Sequence, residues 1–263
     1  PNESREIREA FFNFCVNVAY LNLTVEDGQK EKNFIMLVHS TLKIIQHEDE
    51  KSLFVKIKSI LSDTDHTKFE QYVKEIYKLA ERLTKNIISD KHNITIDDIV
   101  RYIISNISRC SIAVLDTKGK KDLQDMSHYT TNPVHPFTVV IGGNTISRGL
   151  TFSNMLSMFF SRDVKGKMGQ GTFIQRARMF GPREKELMPF FTLTIPLKLY
   201  KRWWSCFSMY DIMLQYLRSG HPLYVQTSDN QAVPTSSIDK QTVDIDSGVL
   251  GSPIIRYDDE IAS

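Results

Sequence analysis

Short apolar runs separated by stretches of helical periodicity constrain this chain most. Residues 34–39, 112–115, 137–142 and 155–161 are nearly continuous in Phe, Ile, Val, Leu and Met. Each run is too short for a self-supporting helix and lacks the alternation of a half-solvated strand, so each predicts a strand covered on both faces. Residues 190–195 make a further strand. Helical spacing fills the intervals. Ile7, Ala10, Phe11, Phe14, Val18 and Leu21 form one stripe, and Phe69, Tyr72, Val73, Ile76, Ala80, Leu83 and Ile87 form another within a helical pattern running from 49 to about 89. Thr95 and Asp98 have the spacing of a capping box that opens a helix through 107, and 198–217 reads as a further helix. Strands alternating with helices predict a mostly parallel sheet, and right-handed crossovers then give a three-layer α/β sandwich. The helical block at about 49–108 exceeds what a crossover needs and reads as an insertion.

The chain has 263 residues, 41% of them hydrophobic, enough for a sizeable core. No run of apolar residues has the length of a membrane span, and Arg5, Glu6, Arg8 and Glu9 argue against a signal peptide. Cys15, Cys110 and Cys206 lie far apart and match neither zinc spacing nor a disulfide framework, which suits a reducing cytoplasm. No metal site is read from the sequence. The net charge of +2 is uninformative, but its distribution is not. From 137 to 185 the bases are Arg148, Arg162, Lys165, Lys167, Arg176, Arg178, Arg183 and Lys185, against Asp163 and Glu184 alone. Such a patch suits phosphates. From 226 to 263 the balance reverses, through Asp229, Asp239, Asp244, Asp246, Asp258, Asp259 and Glu260. The chain is accordingly divided into a lobe at 1–222 and an acidic extension at 223–263.

Two segments carry the functional signal. In the first, the strand Val139-Val140-Ile141 runs into Gly142-Gly143, then Ser147-Arg148-Gly149, then Leu150-Thr151-Phe152. Glycines at a strand's carboxyl end allow close backbone approach and positive φ, and arginine adds a planar charged fork. Ligands of open α/β sheets bind at that end, so the loop predicts a phosphate-facing site made by Gly142, Gly143, Ser147, Arg148 and Gly149. In the second, Phe173, Ile174, Ala177 and Phe180 share one helical stripe, while Gln175 and Arg178 share another face. Gly181-Pro182 ends that helix and Arg183 follows it.

Taken together, these segments resemble motifs five and six of superfamily-two helicases and translocases, and more closely the Z-one (Z1) domain family, described as endonuclease- or helicase-like proteins of bacterial restriction and defence loci. Ala177 stands where that family carries glycine. Residues 35–40 resemble the strand that opens the second RecA-like lobe, and the likeness spans roughly 1–220. It implies a RecA-like sandwich in which Arg178 and Arg183, supported by Gln175, reach the γ-phosphate of ATP. It further implies that His39, Ser40, Thr41, Arg162 and Lys165 meet nucleic acid, DNA first and RNA as the open alternative. No Walker A loop is present; Gly119-Lys120-Lys121 and Gly166-Lys167-Met168 lack the upstream glycine and the following hydroxyl. ATP and Mg²⁺ are therefore expected to be held mainly by a preceding RecA-like lobe, consistent with a chain that begins at Pro1 as an excised piece. Proteins of a defence system are expected partners, and the membrane is not. Two alternatives stand beside the motor: an interaction module without turnover, and a Mg²⁺-dependent endonuclease built on Asp97, Asp98, Asp116 and Lys118. Lys201-Arg202-Trp203-Trp204 reads either as a base-stacking element or as an amphipathic helix burying one indole.

Overall fold

The computed structural model describes residues 3–25, 29–39, 44–86, 93–115, 133–143, 152, 154–160, 168–169, 184–220, 224–226, 232–233, 243–247 and 253–257. The chain divides into two compact units, Pro1–Arg162 with Met179–Thr194, and Asp163–Arg178 with Ile195–Ser263.

The first unit is built on a five-stranded sheet. Its strands are β1 (Phe34–His39), β2 (Ser111–Leu115), β3 (Phe137–Gly142), β4 (Met155–Phe160) and β6 (Thr192–Thr194), ordered β2-β3-β1-β4-β6. Every pairing is parallel. β1, β3 and β4 are buried along their whole length, which is why they read as unbroken apolar runs, while the edge strands β2 and β6 are only partly covered. Four helices accompany them: α1 (Glu3–Leu23), α2 (Ile44–Ser62), α3 (Phe69–Asn86) and α4 (Ile96–Asn106). Their apolar residues join Phe34, Met36, Val38, Phe137, Val139 and Ile141 of one sheet face in a single core. The opposite face, with Ile35, Leu37, Thr138, Val140, Met158 and Phe160, is equally inaccessible. The sheet is thus the middle of an α/β three-layer arrangement consistent with a RecA-like fold.

α1 buries more than the single stripe its spacing suggested. Phe12, Cys15, Val16 and Ala19 are fully buried along with Phe11, Phe14 and Val18. The helix lies between the sheet and α3: Phe14 meets Phe137 of β3 edge-on at 6.4 Å, and Phe12 meets Tyr72 of α3 at 5.4 Å. A helix covered on both sides has little use for a polar face. The helical pattern at 49–89 resolves into α2, which begins earlier at Ile44, and α3. Between them Asp63 Oδ1 accepts from the Asp65 amide at 3.1 Å and His66 Nδ1 from the Lys68 amide at 3.0 Å, local side-chain bonds that compete with helix continuation. α2, α3 and α4 together form the crossover from β1 to β2, and Phe54, Ile57, Ile76 and Ile103 belong to the common core, so the long block is integral to the lobe.

α4 opens as the sequence predicts. Thr95 Oγ1 accepts from the Asp98 amide at 3.1 Å, and the Asp98 carboxylate accepts from the Thr95 amide at 3.0 Å. The Thr95 hydroxyl also donates to Asp98 Oδ2 at 2.6 Å, and this bond first, with the Thr95 amide second, holds the Asp98 carboxyl below its ordinary value. The sign follows: a depressed folded-state value contributes stability above the unfolded value, near ~3.9, that is lost as pH falls through the lower one. Thr95→Ala is expected to lower unfolding free energy by about 1 kcal/mol, measured by the denaturant midpoint, with Thr95→Ser close to wild type.

The amino edge of the sheet is tied across several connections. Glu31, just before β1, accepts from the Tyr102 hydroxyl of α4 and from Arg109 Nη2 at 2.7 Å. Burial and the Glu31 carboxylate both push the Tyr102 phenol above its ordinary value. Asn22, at the end of α1, donates to the Lys32 carbonyl at 2.9 Å and accepts from its amide at 2.7 Å. Asn33 donates to the Pro133 carbonyl at 2.6 Å, and Asn154 donates to the Asn33 carbonyl at 3.1 Å. The starts of β1, β3 and β4 are thereby laced together.

In the second unit, α5 (Leu197–Ser219) ends on Gly220, whose φ of 68° is the left-handed cap that glycine adopts without strain. β7 (Tyr224–Gln226), β10 (Pro253–Tyr257) and β9 (Val243–Ser247) form an antiparallel sheet with β10 central, and β5 (Met168–Gly169) pairs with β8 (Ala232–Val233).

Candidate functional site

The carboxyl edge of the parallel sheet is the candidate site. His39 of β1 pairs in register with Gly142 of β3 on one side and Phe160 of β4 on the other, and Gly142 pairs with Leu115 of β2. The chain leaving β1 runs to β2 at one edge of the sheet, whereas the chain leaving β3 runs to β4 in the other half. Neighbouring strands whose connections depart in opposite senses create the switch point at which open α/β sheets bind ligands. Two segments singled out by sequence, 35–40 and 139–152, thus converge on one pair of adjacent residues.

The geometry there is specific. In a parallel sheet, in-register residues face the same way, so Leu115, Gly142, His39 and Phe160 form one row. His39 is 1% exposed, and its imidazole packs on the Phe160 ring with centroids 4.9 Å apart and 35° between planes. It belongs to the buried end of the sheet. Gly142 contributes no side chain to that row. The positive φ anticipated for the glycines is not taken by Gly142, because ladder pairing on both sides holds it extended; among the described residues the left-handed glycine is Gly220. Small size at a crowded strand end, rather than backbone handedness, is what Gly142 supplies. Gly143 follows at the end of the described segment.

Ser147, Arg148 and Gly149 lie outside the described residues, as do Gln175, Arg178 and Arg183, and Ser40, Thr41, Arg162 and Lys165. The structure therefore brings together His39, Gly142 and Gly143 from the sequence-derived set, and adds Phe160 and Leu115. Those two were missed because an apolar residue ending a strand carries no chemical signature; only strand order puts it beside the histidine.

The carboxylates of the nuclease alternative have structural partners. Asp97 accepts from the Tyr77 hydroxyl, and Asp98 closes the capping box and pairs with Arg101 at 3.4 Å. Asp116 and Lys118 lie outside the described residues. Among the described residues, no group of three or more His, Cys, Asp or Glu side chains could hold a metal ion. Cys15, Cys110 and Cys206 are all buried. Burial pushes the Cys110 thiol up to about 12, and burial reinforced by nearby Cys110 raises Cys15 well above its ordinary value, so neither is a ready thiolate at neutral pH. Among the described residues no helix is long and apolar enough to cross a membrane.

Lys201-Arg202-Trp203-Trp204 lies on α5, with Trp203 at 8% exposure and Trp204 at 59%. One indole is buried and the other is not, as an amphipathic helix requires.

Neither a curated protein nor a solved structure matches the chain significantly. The profile of the Z1 domain matches residues 6–219, a span that takes in the whole described sheet and α5. The chain belongs to the Z1 domain family.

Proposed function

We propose that this chain is the second motor lobe of an ATP-dependent, helicase-like nucleic-acid translocase, lending arginine charge to a nucleotide held by another lobe. The observation that carries this reading is the in-register pairing of His39 with Gly142 at the switch point of an all-parallel sheet. From that point the chain enters the segment containing Ser147, Arg148 and Gly149, and further on the run containing Gln175, Arg178 and Arg183. An arginine at such an edge can neutralise charge that develops on the γ-phosphate during transfer. Arg178 and Arg183 are assigned that role, with Gln175 and Arg148 supporting them. The basic stretch from 137 to 185 supports a polyanionic partner.

The described residues of the edge support a phosphate-facing role, and none of them forms a metal-holding group. Among the described residues of this edge, Gly142 and Gly143 bring backbone, His39 lies buried behind them, and no carboxylate stands with them. Magnesium, which brings charge neutralisation to the β- and γ-phosphates when bound, is assigned with the phosphate cradle to the other lobe. On this chain remain the tasks of sensing the γ-phosphate and gripping the strand.

The test is ATP turnover by the protein together with its nucleotide-binding lobe, titrated with single-stranded and duplex DNA and with RNA. Turnover that rises several-fold with one of these polymers is the expected result. Polymer binding without turnover at any concentration would replace the motor by a binding module.

A further inference from the structure

α5 carries an aromatic ladder on its outer face. Tyr200, Trp204 and Phe207 are 50%, 59% and 51% exposed, whereas Leu199, Trp203 and Cys206 on the other side are buried. Their spacing of four and then three residues places them on one stripe of an α-helix. The Tyr200 and Trp204 rings are stacked with centroids 6.4 Å apart and 28° between planes, and Trp204 and Phe207 lie 6.1 Å apart at 38°. Each ring lies beside the next, and Trp204 still leaves more than half its surface to solvent.

Charge says what such a surface suits. Residues 197–210 contain Lys198, Lys201 and Arg202 and no carboxylate. Lys198 and Lys201 are exposed, Lys201 immediately beside the stripe. The first acid, Asp211, lies one turn beyond Phe207 and accepts from Gln215 Nε2 at 2.9 Å, which sets the acidic limit of the ladder. Exposed aromatic residues, with Leu197 one turn before Tyr200, would suit a protein partner as well, so it is the charge of the segment that decides. Exposed rings flanked by Lys201, on a stretch of helix that carries cations and no acid, match unpaired bases joined by phosphates.

We infer that the Tyr200–Trp204–Phe207 face of α5 is a stacking platform for single-stranded nucleic acid, with Lys201 beside Trp204 meeting its phosphates. The platform deepens the translocase reading and rests on it for its purpose, because a motor lobe must hold the strand it moves. It reads bases through their faces, so it is indifferent to sequence and weak on duplex, whose bases are already stacked.

The experiment uses the Trp203→Phe variant, which leaves Trp204 as the one indole, titrated without nucleotide with oligothymidylate, with oligouridylate and with duplex DNA. Quenching of Trp204 fluorescence by the single strands and little by the duplex is expected; the stronger of the two single strands separates DNA from RNA as the source. Trp204→Ala, at an exposed position that leaves the circular dichroism unchanged, is expected to weaken oligonucleotide binding by about 5- to 100-fold in anisotropy, the effect of one lost base stack. Trp204→Phe restores most of it. Equal affinity of wild type and Trp204→Ala overturns the platform, as does Trp204→Ala dissolving self-association while leaving oligonucleotide affinity intact, which makes the face a protein interface. Failure of the motor reading looks different: ATP turnover is then absent while Trp204 quenching persists.

Discussion

Replacing Arg183 by alanine, in the protein supplied with its nucleotide-binding lobe, is expected to lower ATP turnover by about a thousand- to a hundred-thousand-fold. The size follows from where a finger acts. It meets charge that spreads over the γ-phosphate oxygens only as the bond to the leaving group loosens, so its loss falls on the chemical step more than on binding. Nucleotide affinity should change much less than turnover, and the circular dichroism not at all. Arg183→Lys should recover little, because a point charge does not reproduce the planar fork. Arg178→Ala should fall in the same range if the two act as a unit, with the double variant no worse than the more damaging single one. Unchanged turnover in Arg183→Ala would remove it from the mechanism.

The largest effect on stability is expected at Phe11. Its side chain is fully buried, and its ring meets Phe54 of α2 edge-on at 5.3 Å while lying 6.3 Å from Phe12 and 6.4 Å from Phe14. It stands where α1 joins the β1–β2 crossover, so alanine there loses apolar burial, edge-to-face contact and the filling of a shared space. A cost of about 3–5 kcal/mol is expected, read from the denaturant midpoint. Val55→Ala is the control on the neighbouring helix: at 49% exposure it should change stability by about 0.5 kcal/mol or less. A Phe11→Ala protein as stable as Val55→Ala would mean that the α1–α2 contact is not part of the folded core.

Much of this architecture was legible because burial on both faces leaves a distinctive run. β1 and β3 appear with the limits their apolar residues suggest, and β4 begins where its run begins. The capping box was legible because two side chains three apart suffice to make it. Strand order was not, since no local pattern in residues 34–39 says that β1 inserts between β3 and β4. The break between α2 and α3 was hidden for a related reason: Asp63 and His66 act through their side chains on nearby amides, an effect invisible to apolar periodicity. At the candidate site, glycines and arginines announced themselves by chemical type, but the row Leu115–Gly142–His39–Phe160 exists only once strands are paired. α5 was legible as a helix burying one indole; which indole it buries needed the helix's orientation, and that exposed the ladder.

The bonds that join Glu31 to Tyr102 and Arg109, Asn22 to Lys32, and Asn33 to Pro133 and Asn154 all sit at the end of the sheet remote from His39 and Gly142. Sliding β1 past β3 or β4 would break a bond made by Asn33, so the three inner strands are held in register from that end. Anything that reaches the opposite end would therefore meet strand tips whose alignment is already fixed from behind.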